Sequence, residues 1–326
     1  MQEPASSIRW TMFFFAGGDA AMVGIVGIVV CAMLYQPSAT KPLIRPFYRI
    51  AIFVVSLLLT VCGSLQLPTV LKGVGVTWAI FALGLRSHHL RNLDPITDAT
   101  PAIKHLLLRR LTHLFPLVWF MCWLMIEAPY HFWHATGLPG STLLVIGDSV
   151  TAGLNDNDDT WPQQLARSTH LNVMDVSQPG ATLHSALQQN RRLSGRGGLL
   201  ILEIGGNDLL EGLPVSRFDA ELDQLLSEAT QPNRTIVMFE LPLPPLCAAY
   251  GRSQRVQAAK HHAHLIPKRQ FAKILTTTGA TVDGIHLSNA GQTLMATLVQ
   301  NLLREGLQTG TGTYHRIEAT LGNEVQ

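Results

Sequence analysis

Hydrophobic and polar positions follow two different patterns along this sequence, and the change falls near residue 140. Before it, apolar residues come in long runs. The first, 11–34, has 24 residues and is bracketed by Trp10 and Tyr35. As a helix it measures about 36 Å, enough for a bilayer core of roughly 30 Å. A second stretch, 50–85, is too long for one span and is interrupted by Gln66, Pro68 and Lys72, so it reads as two helices, 50–66 and 70–86. A fourth run, 112–130, has Arg109, Arg110, His113 and Glu127 at its edges. It leads into Tyr130, Phe132 and Trp133, an interfacial aromatic belt. The pattern predicts an α-helical transmembrane region of about four helices over 1–135.

Loop charges agree with four spans. The loop 36–49 carries Lys41, Arg45 and Arg49, and 87–111 carries Arg91, Lys104, Arg109 and Arg110 against Asp94 and Asp98. The turn between spans two and three has only Lys72. Basic loops face the cytoplasm, so four spans place both termini outside it, whereas three would split the basic loops between the two faces. The expectation is an integral protein of a bacterial inner membrane whose C-terminal portion is periplasmic. A cleaved signal peptide fits badly: the run is long for one, and its leader carries only Arg9 against Glu3. Asp19, inside the first span, is an intramembrane acid with either a specific role or a headgroup or neighbouring helix within reach.

Composition narrows the classes. With 47% hydrophobic and 14% charged residues and a net charge of +2, the chain is neither disordered nor a strongly charged nucleic-acid binder. Residues 1–135 hold ten Lys/Arg against five Asp/Glu, and the remainder fourteen against seventeen. Cys31, Cys62 and Cys122 lie in apolar runs and Cys247 in the polar part, which gives no disulfide framework.

After a linker at 136–140 the runs become short and β-branched: 141–146, 171–176, 199–204, 235–241 and a brief Ala280-Thr-Val282. Helical patterns lie between and after them, over 161–168, 182–192, 217–229, 265–277 and 288–304, with Thr160 and Ser288 as N-caps. Such alternation predicts a doubly wound parallel sheet over 141–306. The Gly/Thr-rich tail 307–326 reads as mobile.

Ligands of doubly wound sheets bind beyond the carboxyl ends of the strands, and polar clusters fall there. Gly147-Asp148-Ser149 follows the first strand, Ser177-Gln-Pro-Gly180 the second, Gly205-Gly206-Asn207-Asp208 the third and Asp283-Gly-Ile-His286 the last. Ser149 is a weak nucleophile until a base takes its proton. His286 suits that task near neutrality, and Asp283 can hold its other ring nitrogen. The N–H groups of Ser149 and Gly180 and the side-chain amide of Asn207 are candidate oxyanion donors.

These four blocks, in this order, resemble the GDSL/SGNH hydrolase superfamily. Thr160-Trp-Pro, Leu202-Glu-Ile-Gly-Gly-Asn-Asp and His286-Leu-Ser-Asn-Ala-Gly291 are similar to its bacterial arylesterase and lysophospholipase-type members. The resemblance covers 141–304 and implies a flavodoxin-like three-layer α/β/α domain. Ser149, Gly180, Asn207 and His286 would be its signature residues, Asp283 the third triad member, and Asp148, Gly206 and Asp208 their support. One departure is the approach Asp175-Val-Ser-Gln-Pro to Gly180, where many members carry an Asn. A Gly-x-Ser-x-Gly elbow fails at Thr151, and a dinucleotide loop fails for want of Gly-x-Gly-x-x-Gly. His261, His262 and His264 read as a solvated face rather than metal ligands, Asp156 to Asp159 as a solvated entry loop rather than a cation site, and Asn233-Arg-Thr235 as an unused sequon.

The expectation is a membrane-anchored serine esterase that needs no metal or cofactor and acts on a lipid, lysophospholipid or O-acetylated glycan ester. Its rivals are an O-acyltransferase of an envelope polysaccharide and a non-catalytic glycan- or partner-binding module.

Overall fold

The computed structural model describes residues 11, 13–17, 19–33, 54–56, 58–59, 118, 122, 125–133, 138, 142–169, 171–304 and 313–317. The chain forms two compact units, 18–129 and the remainder. In the first, helix α1 (Asp19–Met33) has 15 residues, about 22 Å at helical rise and short of a roughly 30 Å bilayer core. Among the described residues no helix is long and apolar enough to cross a membrane. The expected four-span region is therefore not supported there. Helix α1 covers only part of the first run, and the runs 50–66, 70–86 and 112–130 lie in large part outside the described residues. Several described apolar side chains of this unit are exposed, among them Val23, Val26, Val30, Val54, Val55, Leu58 and Met125.

In the second unit, six short strands form one sheet, and alternate residues of the inner ones are buried on its opposite faces. The strands are β1 (Thr142–Gly147), β2 (Asn172–Asp175), β3 (Gly198–Glu203), β4 (Arg234–Phe239), β5 (His264–Ile266) and β6 (Thr313–Arg316). They lie in the order β5-β4-β3-β1-β2-β6, and every neighbouring pair is parallel. Parallel strands need crossovers, and here they are helices. Leu143, Val145, Ile201 and Phe239 pack on α3 (Trp161–Thr169), α8 (Lys268–Thr276) and α9 (Asn289–Leu303). Leu144, Ile146, Leu202 and Met238 pack on α4 (Leu183–Arg192), α6 (Val215–Ala229) and α7 (Ala248–Lys260). Two short helices, α2 (Ser149–Ala152) and α5 (Gly206–Leu210), stand directly after β1 and β3.

This is the doubly wound parallel sheet that the alternation predicts, in the three-layer, flavodoxin-like arrangement that the resemblance implies. The chain passes from β1 to β2 on one side and then to β3 on the other, so the crossovers part beside β1 and leave a crevice at its carboxyl end.

Four segments differ from the sequence reading. Ala280-Thr-Val282 forms only an isolated antiparallel bridge, Thr281 to Leu287, outside the sheet. The fifth strand is instead His264–Ile266, at the start of the segment read as helical. Helix α7 carries no clean apolar stripe: Ser253, Gln254, Arg255 and Gln257 are all buried. Finally, the tail read as mobile contributes β6, with Tyr314 packed against one core and Ile317 against the other.

Candidate active site

The turn after β1 is built by its own carboxylate. Asp148 caps α2, its Oδ1 accepting from Val150 N–H at 2.9 Å, and this sets Ser149 at the first helical position. Asp148 N–H bonds Glu203 O at 3.2 Å, tying the turn to the end of β3. Below it Thr151 Oγ1 donates to Glu203 Oε2 at 3.0 Å and accepts from Trp161 Nε1 at 3.2 Å. Ser149 is 7% exposed, at the edge of this packed turn.

Two acids meet under the nucleophile turn. Glu203 is fully buried, and burial first, then the Asp148 charge beside it, holds its carboxyl well above the ordinary range. Asp148 is also raised by burial, against the Val150 N–H and the hydrogen bond from Glu203. Glu203 keeps the proton, because it is the more deeply enclosed and Asp148 has backbone and amide donors. His286 also acts electrostatically to lower Asp148, the smallest of the effects on it.

The donors of the second and third blocks are physically linked. Gly180 lies in the left-handed region at φ 72°, with open space where a Cβ would stand. Asn207 Nδ2 donates to Ala181 O at 2.9 Å and to Asp148 Oδ2 at 3.4 Å, so one amide bridges the Gly180 loop and the Ser149 turn. The longer bond is the weaker, so its hydrogen is the less firmly held of the two. Asp208 accepts from Leu183 N–H at 3.0 Å, starting α4, and burial lifts it to about 6 despite that bond. Gly206 passes Asp148 Oδ2 closely, 3.4 Å from the position of an added Cβ.

The last block is a tight loop. Asp283 Oδ1 accepts from Ile285 and His286 N–H at 3.0 and 2.9 Å, and Oδ2 meets His286 Nδ1 at 2.6 Å. Burial pushes Asp283 upward, but the ring and backbone hydrogen bonds and the His286 charge outweigh it and bring it to about 2. Val282 N–H to His286 O at 2.9 Å closes the loop. Gly291 is needed beneath, since a Cβ there would lie 1.9 Å from Ala280 O. Helix α9 then reaches across: Gln292 Oε1 accepts from Trp161 N–H at 2.8 Å and Nε2 donates to Val150 O at 3.1 Å. Among the described residues, the Ser149 hydroxyl and the His286 ring make no hydrogen bond to each other, and His286 Nδ1 is held by Asp283.

Glu203, Thr151, Trp161 and Gln292 were given no role by the sequence. A Gln among the apolar positions of α9 was the available signal. The other candidates are occupied elsewhere. Asp158 closes its own loop on Leu154 and Asn155 N–H, Asp159 pairs with Arg167, and His261 pairs with Asp223. Among the described residues no group of His, Cys, Asp and Glu could hold a metal ion.

A serine at the switch point of a parallel sheet, with candidate oxyanion donors on two neighbouring loops and an Asp–His pair, is an arrangement suited to a three-layer serine hydrolase. Residues 145–294 match the profile of the GDSL-like Lipase/Acylhydrolase family. Esterase TesA of Pseudomonas aeruginosa is 27% identical over 169 residues, 46% of this chain and 82% of that protein. Thioesterase 1/protease 1/lysophospholipase L1 of Escherichia coli K12 is 31% identical over 121 residues, 34% of this chain and 54% of that protein, so this chain spans about half of that relative. A crystal structure of the psychrotrophic esterase EstA from Pseudoalteromonas sp. is 21% identical, covers 51% of this chain and 97% of its own, and superposes with a TM-score of 0.46. The similarity of residues 145–294 to the GDSL/SGNH hydrolases, with relatives named esterase and thioesterase, makes this domain an esterase of that type.

Proposed function

We propose that Ser149 is the nucleophile, His286 the base and Asp283 the residue that orients it. Ser149 Oγ attacks the ester carbonyl carbon as His286 Nε2 takes its proton, and the carbonyl π pair moves onto oxygen. That oxyanion is met by the N–H of Ser149, the N–H of Gly180 and the Asn207 amide. Collapse expels the alcohol, which takes its proton from His286 and leaves an acyl-enzyme on Ser149. Water then adds to the acyl carbon, giving its proton to His286; collapse breaks the bond to Ser149 Oγ, which takes that proton from His286 as the acid departs. The observation that carries this reading is the 2.6 Å contact of His286 Nδ1 with Asp283 Oδ2, in a loop whose carboxylate stays ionised. It fixes the tautomer that leaves Nε2 open to a hydroxyl.

The substrate we propose is an acyl ester at a membrane surface, a lysophospholipid or an acetylated glycan, with the domain on the extracytoplasmic side. Three observations support it: the apolar runs and basic loops of the first 135 residues, the exposed valines of α1, and the lysophospholipase named among the relatives. Ser149→Ala should lower p-nitrophenyl acetate turnover by about 10³-fold or more and abolish fluorophosphonate labelling with the fold intact. Labelling that persists in this variant would remove Ser149 from the reaction.

A further inference from the structure

Beyond the residues matched by the family, β6 returns to the site. It pairs in register with β2, so Arg316 stands opposite Asp175 and Tyr314 opposite Val173. Asp175 is fully buried at the end of β2, where its Oδ1 accepts from Ser177 N–H at 2.9 Å. Tyr314 donates its hydroxyl to Asp175 Oδ2 at 3.1 Å, and Arg316 Nη1 lies 4.0 Å from the same oxygen. The guanidinium then extends past the acid. Its Nη2 reaches Ser177 O at 3.2 Å and Ala152 O at 3.5 Å.

Those two carbonyls belong to the two backbone segments that carry oxyanion N–H groups. Ala152 ends the helical turn that begins at Ser149. Ser177 opens the turn to Gly180, which is otherwise hung from β1 by Gln178 N–H to Gly147 O at 3.1 Å. A guanidinium is planar and rigid, so contact with both carbonyls fixes their separation more firmly than a flexible ammonium would. Oxyanion donors work only when they lie about 2.7–3.1 Å from the oxygen that becomes charged.

We propose that Arg316 is a positioning residue for the ester reaction, clamping the Ser149 turn to the Gly180 loop so that the two N–H donors converge. This rests on the assignment of Ser149 and Gly180 above. Displacement of one reacting group by about 1 Å costs on the order of a hundredfold. Loss of a clamp that leaves the other ties in place should therefore cost about tenfold in kcat, with KM within about twofold.

The test compares the full chain with Arg316→Ala and Arg316→Lys in p-nitrophenyl acetate hydrolysis, with and without millimolar guanidinium chloride. The expected result is a tenfold lower kcat for both variants. Guanidinium, but not sodium chloride, should restore part of it in Arg316→Ala. Wild-type kcat in Arg316→Ala, or a loss that guanidinium leaves untouched, overturns the clamp and leaves β6 a structural strand. Should Arg316→Ala fail to fold, Arg316→Lys decides alone: kcat equal to wild type overturns the proposal, and a tenfold loss with KM unchanged upholds it. A wild-type chain neither active nor labelled by fluorophosphonate fails the nucleophile assignment first, and the clamp with it.

Discussion

Asp283 and Glu203 are two acids at one site with opposite balances. Three hydrogen bonds overcome burial at Asp283 and hold it near 2, below its unfolded value of about 3.9. Such a group stabilises the fold above the unfolded value, and that contribution fades as pH falls from about 4 through 2. Asp283→Asn should therefore be less stable than wild type at pH 7, with the gap closing toward pH 2 in urea melts. Its kcat should drop by about 10⁴-fold, because the wrong ring tautomer is favoured. Glu203 runs the other way. Its folded value is raised, so the native state holds a proton that the unfolded chain gives up near 4.3, and stability declines as pH rises from there toward the folded value. Glu203→Gln imitates the protonated acid and can still accept from Thr151. Its stability relative to wild type should grow as pH rises above about 4.3 in chemical denaturation, and parallel curves would contradict a proton held on Glu203. The places of Ser149 and Asn207 were legible because each follows a strand of the sheet, whereas the Asp283–His286 loop follows only an isolated bridge. The buried acid was not, since Glu203 reads as an ordinary end to an apolar run.

Among the elements, α9 does more than cover the sheet. Gln292 ties the helix that follows His286 both to the nucleophile turn and to the start of α3. Gln292→Leu leaves Val150 O and Trp161 N–H without partners at about 1–3 kcal/mol each. A fall in stability of that order is expected, together with a kcat loss not recovered by raising substrate; steady-state kinetics and urea melts measure both. The four strands β1 to β4 and most of the helices could be read from the sequence because each has a plain buried run or stripe. Three features could not. The buried polar residues of α7 erase its stripe, and His264–Ile266 merges with the amphipathic start of α8. The four-residue β6 declares itself only through its partner Asp175.

At the scale of the whole molecule, hydropathy and described structure cover different parts of the chain. The apolar runs of the first 135 residues argue for an anchor, whereas the described helix α1 has 15 residues. Extraction of membranes with alkaline carbonate should leave the full chain in the pellet; its release into the supernatant would remove the anchor. Within the hydrolase unit, the sheet separates two kinds of work. The packing around Val150, Trp161, Leu287 and Met295 supports the serine turn and the imidazole loop, the apparatus of proton transfer. The packing around Ala181, Leu183, Ile204 and Phe218 lies behind Gly180 and Asn207, two of the three donors proposed to meet developing charge. Damage to one side of the partition therefore weakens deprotonation of the hydroxyl, and damage to the other weakens the welcome given to the tetrahedral oxygen. Evolution, or an engineer, can tune basicity and anion affinity by repacking opposite flanks of one wall.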